Sequence, residues 1–149
     1  MTGGGRLNSR LGFLGVRGAI FSTSSALAIV DGIGSHWTST EQLFVGYEGQ
    51  GTLAVTAGGQ VTSGTGHLGF TNAGAGTVRV SGAGSRWTNT ESLYVGVAGT
   101  GDLLGSERRA VRGGLAGLGR GAVVMALGQD VAGGGPNLRR PRTAQGQAV

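Results

Sequence analysis

The groups from which chemistry could be built are few: seven acids, two histidines, twelve arginines, and no lysine or cysteine in 149 residues. Glu41 and Glu91 stand 50 residues apart in equivalent contexts, Thr-Glu-Gln-Leu and Thr-Glu-Ser-Leu. Two such carboxylates could in principle act as the acid and base of glycoside cleavage. Repetition of the surrounding sequence is better explained by structure. His36 and His67 lack partners at metal-ligand spacing, and a zinc site needs three or four ligands. Gly49-x-Gly51-x-x-Ala54 loosely matches a dinucleotide fingerprint, but it precedes a strand-like run and not a helix. Asp102 lies in a Gly-rich stretch without a calcium nonapeptide, and its repeat equivalent is Thr52. Trp37 and Trp87 could stack on sugar rings, with Thr38, Thr88, Thr40 and Thr90 as polar contacts beside them. The competing reading packs both indoles at a corner of the fold. The absent cysteines exclude disulfides and thiolate chemistry, and the absent lysine excludes a Schiff base. No catalytic, cofactor-binding or metal site is assigned.

These residues sit in a repeat. Val30–Leu53 and Val80–Leu103 are identical at 14 of 24 positions at an offset of 50. A second pair, Gly4–Gly15 and Gly58–Gly69, shares Gly-Gly, eight residues, then Leu-Gly at an offset of 54. Within the unit, short apolar runs at Leu53/Val55, Val61, Leu68/Phe70, Val78/Val80, Trp87, Leu93/Val95 and Leu103 are separated by Gly, Ser, Thr or Asn. Alternation over a few residues with such punctuation predicts strands and turns. Three runs span the 25 residues from Leu53 to Val78, and three more lead on to Leu103. The expected unit is therefore a three-sided coil of about 25 residues, two coils to each repeat, stacked as a parallel β-helix. Residues 1–104 would hold about four coils. One coil cannot bury its apolar face alone, and the open ends of a short stack favour self-association.

The elements Val-x-Gly-x-Gly-Ser-x-Trp-Thr-x-Thr, Leu-x-Val-Gly-x-x-Gly-x-Gly-x-Leu and Gly-Gly-x-(Val/Leu)-x-Ser-x-x-x-x-Leu-Gly resemble the repeat of bacterial autotransporter (type V secretion) passenger domains. The same repeat occurs in some PEP-CTERM-sorted surface proteins. The resemblance covers roughly residues 4–104. It implies an all-β, right-handed parallel β-helix, exported and displayed on the outer cell surface. It also implies a structural or adhesive role without catalysis, partners among surface glycans or proteins of a host or neighbouring cell, and an outer-membrane barrel in the intact protein. No such barrel, sorting segment or clear signal peptide stands out here. Ala26-Leu27-Ala28 mimics a cleavage site, yet Ser22–Ser25 interrupts the apolar core such a signal requires. A cysteine-free chain suits passage through an oxidising periplasm.

Composition changes near Leu104. Residues 1–104 carry five Arg and five acids; residues 105–149 carry seven Arg and two acids, so the tail holds the whole net charge of +5. All eight aromatic residues lie before it, both prolines lie within it, and Thr falls from thirteen to one. Arg108-Arg109 stands where the repeat calls for Gly-Gly. Arg codons rich in G and C read as Gly one nucleotide on, so a shifted reading frame accounts for the change. The tail is expected to be disordered, with no evolved fold. The alternatives are an in-frame linker or a nucleic-acid-binding segment centred on Arg139, Arg140 and Arg142. No aromatic residue interleaves there for base stacking, so no specific nucleic acid is expected. A β-helical enzyme acting on polysaccharides is the other alternative. It would need acids clustered with Arg or His on one face.

Overall fold

A computed structural model describes residues 2–17, 24–106 and 111–126. They form ten strands: β1 (Arg6–Leu14), β2 (Ser25–Asp31), β3 (His36–Val45), β4 (Gln50–Thr56), β5 (Gln60–Leu68), β6 (Ala75–Ser81), β7 (Arg86–Val95), β8 (Thr100–Gly105), β9 (Val111–Leu118) and β10 (Gly121–Ala126). Odd and even strands segregate into two sheets, ordered β1-β3-β5-β7-β9 and β10-β8-β6-β4-β2. Every pairing is parallel, so each strand lies on its equivalent one coil away. The result is a parallel β-solenoid of about four turns. Five rungs about 4.8 Å apart make a stack about 20 Å tall.

The three apolar runs of each coil are all present, but two of them share one long strand. Val61 and Leu68 both belong to β5, and Trp87 and Leu93 to β7. Hydrogen bonding therefore produces two sheets and not three. The first is irregular where its register shifts, between Ser39 and Gln42 in β3 and between Ser63 and Gly66 in β5. A bulge bends a strand without breaking its pairing, so no turn is needed at that corner.

Alternation selects the core. Ala28, Leu53, Val78, Leu103 and Val124 form one inward ladder on the second sheet. Leu14, Val45, Leu68 and Val95 face them from the first sheet. The sequence repeat spans two coils because the rungs alternate in bulk. Trp37 and Leu43 on β3 register with Val61 and Gly66 on β5, which register with Trp87 and Leu93 on β7. A Cβ on Gly66 would lie 2.7 Å from Cζ2 of Trp87, and one on Gly12 would lie 2.9 Å from Cζ2 of Trp37. Each indole thus occupies space that a glycine on the preceding rung leaves free.

The two repeat signatures meet across coils. The Ser35 hydroxyl donates to the Asp31 carbonyl at 2.6 Å and accepts from the Gly4 N–H at 3.2 Å. The Ser85 hydroxyl repeats this with the Ser81 carbonyl at 2.6 Å and the Gly58 N–H at 3.0 Å. The Gly-Ser-x-Trp serine therefore closes its own turn and ties it to the Gly-Gly turn one coil back. Gly46 and Gly69 close the opposite edge with φ of 75° and 61°. There a Cβ would collide with the backbone carbonyls of Ala75 and Thr100.

The solenoid runs past the composition change. β9 and β10 lie inside the segment expected to lack a fold, and each adds a rung to its sheet. A rung needs only apolar or small residues at its inward positions, and Val111, Leu115, Ala122 and Val124 supply them. Arg139, Arg140 and Arg142 lie outside the described residues, as does the rest of 127–149.

Candidate ligand-contact surface

The outer face of the first sheet carries three columns of side chains. The first runs Asn8, Thr38, Thr62, Thr88 and Arg112. Thr38 and Thr88 are half-buried and two rungs apart, with Thr62 between them; the His36 ring lies 3.4 Å from the Thr62 hydroxyl. Thr40 and Thr90 are exposed at the bend.

The tryptophans beside them face the other way. Trp87 is 0% exposed and Trp37 is 6% exposed. The Trp37 Nε1–H donates to Ser9 Oγ at 3.1 Å and the Trp87 Nε1–H to Ser63 Oγ at 3.0 Å. The Ser63 hydroxyl donates in turn to Asn89 Oδ1 at 2.7 Å, and the Ser39 hydroxyl to the Gln42 carbonyl at 2.8 Å. An interior column of small polar residues thus satisfies the indole N–H groups, as buried donors require. Neither ring presents a face to a sugar, so Trp37 and Trp87 are core residues and not contact residues. The expected contact group breaks up, leaving the threonines on the surface without them.

The second column lies at the bend. Arg10 pairs with Glu41 through its Nε, and the Thr65 hydroxyl donates to Glu91 Oε2 at 2.8 Å. The hydrogen bond and charge of Glu41 hold the fully exposed Arg10 guanidinium above its usual pKa. Glu41 and Glu91 belong to rungs separated by β5, so they lie about 10 Å apart along the stack. Each carboxylate has its own partner on a neighbouring rung. Among the described residues no group of three His, Cys, Asp or Glu could hold a metal ion. Asp102 sits in register with Thr77 on the second sheet, and Gly49-x-Gly51 opens β4, a strand.

The third column is aromatic. Phe13, Phe44, His67 and Tyr94 occupy the same register position on β1, β3, β5 and β7. Their rings stack with centroid separations of 4.9, 4.7 and 5.1 Å and interplanar angles of 5°, 9° and 6°. Parallel strand pairing imposes this, because identical positions on adjacent rungs lie one strand spacing apart. A flanking column comes from the turns. Val16, Tyr47, Phe70, Val97 and Arg120 each follow the glycine that ends a first-sheet strand. Tyr47 stacks on Phe70 at 5.5 Å, and both meet the aromatic column edge-to-face.

His67 is enclosed by this cluster, 8% exposed, and its Nδ1 has no hydrogen-bond partner. Burial lowers its pKa, since the charged imidazolium loses its hydration there. The sequence does contain a signal for the columns. Phe44 aligns with Tyr94 at the offset of 50, and Phe13 aligns with His67 at 54. Joining the two pairs into one ladder requires the coil-to-coil register.

Among the described residues no helix is long and apolar enough to cross a membrane. Comparisons with family models, with curated proteins and with solved structures found no match to this chain.

Proposed function

We propose that this chain is a β-solenoid scaffold of the autotransporter-passenger type, carried on the outer cell surface, with an adhesive or structural role and no catalysis. The observation that supports it is the repetition of one outer surface from rung to rung. Thr38, Thr62 and Thr88 stand in register along the stack, each offering the same hydroxyl to a partner lying across the coils. One such contact is weak, but several engaged together bind far more tightly than any alone. The repeat elements that resemble passenger domains supply the second support. Partners of this kind are extended polymers or surface proteins, met along a face and not in a pocket. The acids favour the same reading, because Glu41 and Glu91 are engaged separately and on different rungs.

The test compares the chain displayed densely on beads with the same chain free in solution, against bacterial and host-cell surfaces. Dense display should raise apparent affinity by about 10²-fold. Release of new reducing ends from a polysaccharide, abolished by Glu41→Gln or Glu91→Gln, would replace the scaffold with an enzyme.

A further inference from the structure

The aromatic column stops at a defined place. On β9 the residue in register with Tyr94 is Gly117, which has no side chain to continue the stack. A Cβ built on Gly117 would meet only the Tyr94 ring, at 3.2 Å from Cδ1 and 3.7 Å from Cε1. The outward direction at 117 therefore runs over the ring face of Tyr94, which is half-exposed. The flanking column changes as well, from Tyr47 and Phe70 to Val97 on the Tyr94 rung and then Arg120. Phe70 lies edge-on to His67, and Tyr47 lies edge-on to Phe44. Arg120 holds the corresponding position relative to Gly117, three residues on and just after the strand-ending glycine. Arg120 is exposed, and among the described residues it forms no ion pair. Where the β3 and β5 rungs place a second aromatic ring and the β7 rung places Val97, this rung offers a guanidinium.

We propose that the Tyr94 face over Gly117, beside Arg120, is a stacking site for one ring of an acidic polysaccharide. The apolar face of a pyranose matches an aromatic ring one spacing away, as the next ring of the column would. The carboxylate of a uronic acid matches the planar, bidentate donor fork of arginine. The site is open along the outer face, which suits one residue of a polymer better than an enclosed small molecule. This deepens the adhesive reading by naming a ligand class and rests on it.

The experiment is calorimetric titration of the full chain with oligogalacturonate and with its methyl ester, which keeps the ring and removes the charge. The acid should bind, weaken with added salt, and exceed the ester by about tenfold. Arg120→Gln should erase the preference for acid over ester. Gly117→Phe should complete the aromatic stack, raise Tm and abolish binding. The Cβ it adds stands 3.2 Å from Cδ1 of Tyr94, so Tm is read on the same variant, and a Tm that does not fall excludes unfolding as the cause of lost binding. Tyr94→Ala should lose binding in parallel. Undiminished binding by Gly117→Phe would overturn the site and leave the adhesive scaffold standing with its contacts elsewhere. Equal binding of acid and ester would overturn the assignment to Arg120. Tighter binding of a free aromatic carboxylate than of either oligosaccharide would overturn the ligand class.

Discussion

Tryptophan in this repeat is a packing residue whose N–H must be satisfied, and Ser9 and Ser63 do so from one rung back. Serine has two further jobs, closing the turns at Ser35 and Ser85 and joining neighbouring coils through Gly4 and Gly58. His67 differs from both, because it is titratable and enclosed between Phe44 and Tyr94. Its folded pKa lies below the unfolded value of about 6.5, so the native state favours the neutral ring. Below that value the unfolded chain takes up a proton that the folded chain resists. The contribution of His67 is therefore fully present above about pH 6.5 and is lost as pH falls through the lowered folded value. Urea midpoints measured from pH 8 to pH 5 should fall more for the parent chain than for His67→Phe, which keeps the ring stack without the proton. Equal slopes would mean that the buried imidazole does not couple to folding.

The rung is the unit of construction at the scale of elements. Each strand of the first sheet carries two apolar runs joined by a bulge, and each strand of the second carries one. Large and small rungs alternate, Trp37 with Leu43, then Val61 with Gly66, then Trp87 with Leu93. Close packing makes this alternation costly to disturb, since overpacking a filled core typically costs about 1–3 kcal/mol. Gly66→Ala would place a methyl 2.7 Å from Cζ2 of Trp87 and 3.0 Å from Cδ1 of Leu93. It should lower unfolding stability by about that amount in a urea titration, with the denaturant slope unchanged. An unaltered midpoint would show that the indole yields freely and that the alternation is not structural.

Among the described residues the stack has open edges. β1 and β2 stand at one end of their sheets, β9 and β10 at the other. Exposed apolar side chains gather at the first end: Leu7, Leu11 and Phe13 on β1, Leu27 and Ile29 on β2. Unpaired strand edges beside such side chains template further pairing. A contact between unlike ends does not close on itself and grows as a filament. Sedimentation velocity of the isolated chain should show association that rises with concentration, reduced by Leu27→Arg at the most exposed of these positions. A concentration-independent monomer with a cooperative melt would contradict it. The rungs β9 and β10 also bear on the composition change near Leu104. Their inward residues continue the ladders although Arg replaces Thr as the common polar residue nearby. Composition measures the outer face, and a rung is specified by the inner one.

Much of this was legible in the residues alone. Alternation is local, so the all-β class, the inward Val and Leu positions and the coil of about 25 residues could be read from Leu53, Val78 and Leu103. The two-coil period was visible as the recurrence of Gly-Ser-x-Trp, although its cause, a glycine beneath each indole, was not. What only the tertiary structure decided depends on which residue lies over which. A bulge after Ser39 and after Ser63 merged two expected sides into one bent sheet, and coil-to-coil packing set Gly12 and Gly66 against the inward rings of Trp37 and Trp87. Coil-to-coil register stacked Phe13, Phe44, His67 and Tyr94, residues scattered over more than eighty positions, and ended the stack at Gly117. The inward or outward sense of a side chain is set by its immediate neighbours along the strand, whereas a column is set by pairing between coils, which no single stretch of sequence contains.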